Sequence, residues 1–160
     1  SPRMLKKSLI VAATLLACAH ARADTFVGRV VGVSDGDTIT VLHDRTPEKI
    51  RLNGVDCPEK TQDFGTRAKQ FTSGLVFGKQ VKVTYQKRER YGRILGNVSI
   101  GGKNLSEELL RAGMAWHYRQ YSKDARLQEL EDAAFKARRG LWSMPEPTPP
   151  WQFRKERKQK

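Results

Sequence analysis

Three strand-like patterns follow one another closely in residues 26–52, and this density limits the fold more than any other feature. Residues 26–33 and 38–43 alternate apolar and polar side chains, with Asp35-Gly36 as the turn between them. Residues 49–52 form a third, shorter pattern after a loop over residues 44–48. Short antiparallel strands joined by tight turns build barrels and meanders. We therefore expect a small antiparallel barrel or meander.

The rest of the chain mixes helices with two more strands. Apolar residues recur at helical spacing over residues 66–77 and again over 124–139, and residues 80–86 and 94–100 alternate as strands do. Asn104 or Ser106 can cap a short helix that ends near Gly113. The longer helix should bury a stripe made of Leu127, Leu130, Ala134 and Phe135. This pattern indicates an α+β fold.

The first 23 residues have the features of a secretory signal. Lys6 and Lys7 precede an apolar run over residues 9–19, which is too short to span a bilayer, and Ala21-Arg22-Ala23 offers small residues for cleavage. We expect an exported protein, periplasmic or secreted, that starts at Asp24. A lipoprotein signal ending at Cys18 is the less favoured alternative. Without Cys18, Cys57 has no partner for an internal disulfide.

The other end of the chain is rich in proline and then basic. Residues 145–150 contain four prolines, which predicts that the folded domain covers residues 24–144. Residues 151–160 then predict a short, mobile, basic tail. No further stretch is long and apolar enough to span a membrane, and we expect a monomer.

The net charge of +13 favours a polyanionic partner. A chain this basic suits nucleic acid or an anionic membrane surface, although basicity can also serve solubility alone.

Carboxylates cluster around the second and third strands. Asp37 and Asp56 are candidate ligands for a hard divalent cation, since such cations take oxygen ligands. The backbone carbonyl of Cys57 is a candidate third ligand. Asp35 would lie one shell further out, where it would hold ordered water or the turn. Taken alone, each of these residues fits an ordinary turn or loop.

Three further residues complete the requirements for phosphodiester hydrolysis. Glu59 is a candidate general base for a water molecule. Arg51 and Arg93 are candidate phosphate clamps, because a guanidinium stays protonated and donates to two oxygens at once. Each arginine alone fits an exposed strand edge or hairpin tip, so the hypothesis depends on the set being complete.

The ordered motifs resemble the staphylococcal nuclease-like family, also called thermonucleases. The resemblance covers about residues 26–142. It rests on Asp35-Gly36-Asp37-Thr38, the run from Arg51 to Glu59, Phe64-Gly65, Tyr91-Gly92-Arg93, Asn104-Leu105, Gly113-Met114-Ala115 and Leu141-Trp142.

The resemblance implies a five-stranded OB-fold barrel with about three helices. It also implies Ca²⁺-dependent cleavage of DNA and RNA with little sequence preference, leaving 3′-phosphate ends. Asp37 and Asp56 match the calcium ligands of the family, and Arg51, Glu59 and Arg93 match its catalytic residues. Arg90, Tyr91 and Tyr118 lie where the family binds nucleotide phosphate and base.

Aromatic residues cluster at Trp116, Tyr118 and Tyr121, and they fit two roles. They can stack nucleobases, for which Tyr118 is the best candidate, or they can pack the barrel mouth. His43 and His117 fit surface or packing positions better than a calcium site, which favours oxygen ligands.

Two other functions stay open at this stage. One is a non-catalytic OB-fold module that binds single-stranded nucleic acid. The other is a cell-envelope protein whose basic tail contacts anionic lipid.

Overall fold

The computed structural model describes residues 22–160. The predicted signal segment therefore lies outside the described residues, except for Arg22 and Ala23. Within residues 22–160, every helix is too short or too polar to cross a bilayer.

Eight strands, four α-helices and one 3-10 helix make up the described chain. In chain order they are β1 (Asp24–Asp35), β2 (Thr38–His43), β3 (Thr46–Leu52), β4 (Val55–Asp56), α1 (Gly65–Val76), β5 (Gln80–Arg88), β6 (Ile94–Ile100), β7 (Lys103–Asn104), α2 (Leu105–Arg111), β8 (Trp116–His117), α3 (Ala125–Lys136), the 3-10 helix (Gly140–Ser143) and α4 (Pro150–Lys158).

Five strands close into a barrel. Their order is β3-β2-β1-β5-β6, each antiparallel to the next, and β7 extends the sheet beside β6. Closure comes from a parallel pairing of β3 with β6, in which Ile50 lies opposite Ile94. The α+β barrel that the sequence predicts is confirmed, with one parallel contact among antiparallel ones.

The barrel interior explains why these segments form strands. Val30, Ile39, Val41, Ile50 and Ile94 are fully buried and come from four different strands. Burying side chains of this size contributes on the order of 2 kcal/mol each, so the alternating pattern fixes which face of each strand points inward.

β1 is irregular where it approaches the polar end of the barrel. Its pairing with β2 shifts register twice, and the second shift falls between Val33 and Asp35. Bulges at a barrel rim bend a strand and redirect its side chains. Gly28 is required lower down the same strand, because a Cβ there would lie 1.8 Å from the carbonyl oxygen of Leu42.

Most predicted boundaries agree with the structure to within three residues. The third strand is longer than expected, since it starts at Thr46 and leaves only Asp44 and Arg45 as the turn. Asn104 caps α2 through a hydrogen bond from the backbone N–H of Glu107, and Asp124 caps α3.

One predicted core residue is exposed. Leu127, Leu130 and Ala134 of α3 are buried as expected, but Phe135 is 59% exposed. Its ring only meets Trp142 edge to face, with centroids 5.5 Å apart. The prediction for Phe135 is wrong because the buried face of α3 consists of Leu127, Leu130, Glu131 and Ala134, and Phe135 lies outside it.

The prediction of a mobile basic tail is also wrong. Residues 150–158 form α4, and Pro150 occupies the first turn. A backbone N–H at that position has no partner within the helix, so proline loses no hydrogen bond there. The helix packs against the loop that carries Glu59, as described below. The domain boundary after residue 144 stays a prediction.

Candidate active site

Asp37 is held at the entrance to β2 by a buried hydrogen-bond set. Its carboxylate accepts from the backbone N–H of Cys57 at 2.8 Å and from the hydroxyl of Thr38 at 3.0 Å. Its own carbonyl accepts from the backbone N–H of Leu52. These bonds join the start of β2 to the end of β3 and to the residue after β4.

Asp56 comes from a small separate sheet. β4 pairs with β8, which sets Asp56 opposite Trp116, and the side chain is almost fully buried. Burial raises the pKa of the Asp56 carboxyl, while hydrogen bonds and charge from Arg154 and Arg51 act in the opposite direction. An acid buried this deeply needs cationic partners to stay ionised.

Arg51 links the two acids. One of its terminal nitrogens, Nη2, lies 3.5 Å from an oxygen of Asp37 and 3.4 Å from one of Asp56. The other, Nη1, donates to the carbonyls of Leu52 and Val55 at 3.0 and 2.8 Å. The guanidinium is thus a counter-ion for the two acids, and its hydrogen bonds also hold the turn between β3 and β4 in place.

A cavity of about 520 Å³ opens over these residues. Glu59 and Asp35 lie on its wall, and Arg93 enters it from the β5–β6 turn. The pKa of Asp35 is raised by partial burial and by the nearby Asp37 carboxylate. Arg93 donates from Nε to the carboxylate of Glu89 at 2.6 Å.

The structure thus brings Asp37, Asp56, Glu59, Arg51 and Arg93 together in one cavity, whereas Cys57, the third predicted metal ligand, is buried and does not line it. Tyr118 also lines it, together with Tyr121. Arg90 and Tyr91 do not line it: both lie on the exposed β5–β6 turn, and Tyr91 is 93% exposed. The roles predicted for these residues stay predictions.

The aromatic cluster divides between the two roles considered for it. Trp116 packs edge to face on the buried Trp142 at 4.5 Å, which is a packing role. Tyr118 instead turns its hydroxyl toward the cavity, where that oxygen accepts from Arg154 at 3.3 Å.

The histidines have structural contacts. His117 is buried, and its two ring nitrogens are hydrogen-bonded to Gln128 and Ser122. His43 stacks on Phe26 with ring centroids 4.2 Å apart.

Comparison with known proteins identifies the family. A family model described as staphylococcal nuclease homologue matches residues 49–144, which include most of the cavity.

The chain belongs to the staphylococcal nuclease family.

Similar proteins of this family carry nuclease names. An uncharacterized endonuclease of Escherichia coli is 49% identical over 128 residues, covering 79% of this chain and 84% of the relative. A micrococcal nuclease of Shigella flexneri is 40% identical over 163 residues, covering 95% and 93%. Protein ParB of Escherichia coli is 41% identical over 140 residues, covering 81% and 79%. The chain is therefore a nuclease-type hydrolase, as the sequence predicts.

Staphylococcal nuclease-type enzymes generally depend on a metal ion, and the donor chemistry here fits a hard one. Asp37 and Asp56 offer carboxylate oxygens that converge on the same Arg51 nitrogen. Within residues 22–160 no three His, Cys, Asp or Glu side chains form a ready metal cluster. Backbone carbonyls, with Cys57 as the candidate, and water would supply the remaining ligands, which Ca²⁺ accepts.

Sequence reasoning missed the residue that contacts this nuclease site most closely. Arg154 of α4 donates to both oxygens of Asp56, at 2.7 and 3.1 Å, and to Glu59 at 2.8 Å. The match to the family model ends at residue 144, before α4 begins. Pro150 followed by residues without a helix breaker was the signal available for this helix.

Glu131 was missed as well. This buried acid accepts from the backbone N–H of His117 and from the side chains of Arg119 and Gln128. It anchors β8, and through β8 it positions both Asp56 and Tyr118.

Proposed function

We propose that this chain is an exported, Ca²⁺-dependent endonuclease that cleaves both DNA and RNA and leaves 3′-phosphate ends. The observation that carries the proposal is the cavity in which Asp37, Asp56 and Arg51 meet, with Glu59 and Arg93 on its wall. The signal-like pattern in residues 1–23 supports export.

Two acids and an arginine at the cavity floor suit a phosphodiester. Asp37 and Asp56 would hold the cation, which when bound supplies positive charge next to the phosphate. Arg51 and Arg93 would donate to the non-bridging phosphate oxygens, whose negative charge increases in the transition state.

Glu59 is the candidate base for water. It lies on the cavity wall and is partly exposed, so water can reach its carboxylate. Glu59 would accept a proton as the water oxygen bonds to phosphorus. The bond from phosphorus to the 5′ oxygen breaks, the leaving oxygen takes a proton from solvent water, and the products are a 3′-phosphate and a 5′-hydroxyl.

The open, basic exterior supports a substrate without a fixed sequence. Residues 24–160 carry a net charge of +9, which favours contact with the phosphate backbone that every nucleic acid presents. Tyr118 on the cavity wall offers a ring that can stack on any base. Neither contact involves the 2′ position of the sugar, so both apply to DNA and to RNA.

The test is digestion of single-stranded DNA, duplex DNA and RNA by the chain starting at Asp24. Each substrate is incubated with Ca²⁺, with Mg²⁺ or with chelator, and the product ends are labelled to locate the phosphate. Cleavage of all three substrates in Ca²⁺ alone, with 3′-phosphate ends, is the expected result. Binding of DNA without cleavage would instead favour the non-catalytic binding module.

A further inference from the structure

The C-terminal helix docks on the same loop that carries the candidate base. The side chain of Gln62 donates to the carbonyl of Thr148 at 2.9 Å, and its other amide atom accepts from the backbone N–H of Glu59. Pro150 is buried at the start of α4, and Phe153 faces Pro58 across a small cavity. These contacts fix how α4 approaches the active site.

Arg154 uses this approach to occupy the acids of the site. Its guanidinium donates to both oxygens of Asp56 and to one oxygen of Glu59, all within 3.1 Å. A fork that meets a carboxylate through two nitrogens is the strongest geometry for such a pair. The candidate cation ligand and the candidate base are therefore both engaged by one side chain.

Trp151 packs on Tyr118, which lines the cavity, although Trp151 does not itself line it. Its ring lies parallel to that of Tyr118, with an interplanar angle of 8° and centroids 5.5 Å apart. Trp116 meets the same indole edge to face at 5.6 Å. Aromatic rings stack on nucleobases in the same parallel manner, so Trp151 takes the position a base would take on Tyr118.

Charge and exposure indicate that this contact is reversible. Arg154 brings a positive charge to the acids that would otherwise receive a cation. Its side chain is 32% exposed while that of Asp56 is 2% exposed, so solvent reaches the ion pair from the arginine side only. The adjacent Lys155 is exposed, so the rest of α4 places no second cation in the cavity.

We propose that α4 is an intramolecular inhibitor that the divalent cation and the nucleic acid must displace. Arg154 withholds Asp56 and Glu59, and Trp151 withholds the face of Tyr118. The inference rests on the proposed function, because it assigns these residues to cation and base binding.

Displacement has a measurable cost in affinity. A ligand that binds only the open form has an apparent Kd raised by the inverse of the open fraction. If α4 is docked in about nine molecules of ten, removing the Arg154 charge lowers the apparent Kd for Ca²⁺ by about tenfold.

The experiment is a calorimetric titration of the full chain with Ca²⁺. It compares wild type with Arg154→Ala and Arg154→Gln, the second of which keeps the length and a hydrogen-bond donor but removes the charge. Lys155→Ala is the matched control, since it removes one positive charge from the neighbouring exposed position. We expect both Arg154 variants to bind Ca²⁺ about tenfold more tightly, and Lys155→Ala to bind as wild type does.

A second measurement follows the helix itself. The chain has three tryptophans, so 5-fluorotryptophan labelling gives three ¹⁹F resonances, and Trp151→Phe assigns one of them. We expect saturating Ca²⁺ to move the Trp151 resonance toward its position in Arg154→Ala, while the resonance of buried Trp142 stays in place.

Equal Ca²⁺ affinity in wild type and both Arg154 variants, with a stationary Trp151 resonance, would overturn the proposal that α4 is an inhibitor. Weaker Ca²⁺ binding by the variants would overturn it too, in favour of a supporting role for Arg154. Neither result touches the proposed function if the wild type cleaves nucleic acid in Ca²⁺. Conversely, tighter Ca²⁺ binding by the variants without any cleavage would reject the nuclease activity in the proposed function, and would leave only the competition between Arg154 and the cation.

Discussion

The backbone N–H of Cys57 donates a 2.8 Å hydrogen bond to the Asp37 carboxylate, across 20 residues of sequence. The bond ties the entrance of one barrel strand to the residue that follows Asp56. Asp37 is thus part of the frame of the site as well as a candidate cation ligand. Substitutions that separate charge from hydrogen bonding can test these two roles independently.

Asp37→Ala should lose both roles, and Asp37→Asn only one. Alanine leaves the buried N–H of Cys57 without an acceptor, which costs about 1–3 kcal/mol in the free energy of unfolding. Asparagine keeps an oxygen acceptor, so we expect its stability to fall by less than about 1 kcal/mol. Urea unfolding measures these differences, and calcium titration should show weakened binding in both. Normal calcium affinity in Asp37→Asn would remove Asp37 from the ligand set.

Arg51→Ala should destabilise the fold as well as stop turnover. Arg51 lies between two buried acids and donates to two backbone carbonyls. Removing one partner from such a set costs on the order of 3 kcal/mol. Thermal unfolding of Arg51→Ala beside Arg45→Ala, which changes an exposed turn arginine, makes the comparison. Equal melting temperatures would show that the contacts of Arg51 contribute nothing to stability.

Glu131→Ala should loosen the aromatic wall of the cavity. The buried carboxylate accepts from the backbone N–H of His117, and β8 pairs directly with β4. We expect Glu131→Ala to lower the free energy of unfolding by about 2 kcal/mol. Asp132→Ala is the control, because Asp132 is exposed and accepts only from Gln128, so its effect should stay within about 0.5 kcal/mol. Chemical denaturation compares the two variants, and indistinguishable midpoints would contradict the anchoring role.

The Cys57 thiol should be unreactive in the folded chain. The residue is 2% exposed, and burial raises the pKa of its thiol well above the ordinary value. Thiolates are the reactive form, so a thiol-specific disulfide reagent should modify Cys57 only after denaturation. The chain carrying Cys18→Ser isolates this signal. Rapid modification under native conditions would show that the region around Cys57 opens readily.

Much of the barrel and its site follows from local sequence pattern. The bounds of β2 and β6 are predicted correctly because alternation reveals which side chains enter the core. The proximity of Asp37 and Asp56 follows only in part: the β2–β3 hairpin returns the chain to the same end of the barrel, but Asp56 lies on β4, which pairs with β8 and not with β2. These inferences use only spacing and strand pairing.

The contacts of α4 could not be predicted in that way. Arg154 lies 98 residues from Asp56, and nothing in a run of basic residues tells which one reaches an acid. The prolines before α4 indicated a domain end, although Pro150 starts the helix. The predicted burial of Phe135 is wrong for a related reason, because helical spacing identifies an apolar stripe but not the width of the core beneath it.

We propose that Arg93 acts on the phosphate and does not contribute to the stability of the fold. Among residues 22–160 its side chain is hydrogen-bonded to Glu89, and it is 37% exposed, so Arg93→Ala should keep the free energy of unfolding within about 0.5 kcal/mol of the wild type. The deciding measurement is single-turnover cleavage of a short DNA in Ca²⁺ by wild type, Arg93→Ala and the control Arg45→Ala. We expect the rate to fall at least about a hundredfold in Arg93→Ala and to stay at the wild-type value in Arg45→Ala. A rate near that of the wild type would contradict the assignment of this cavity as the catalytic centre.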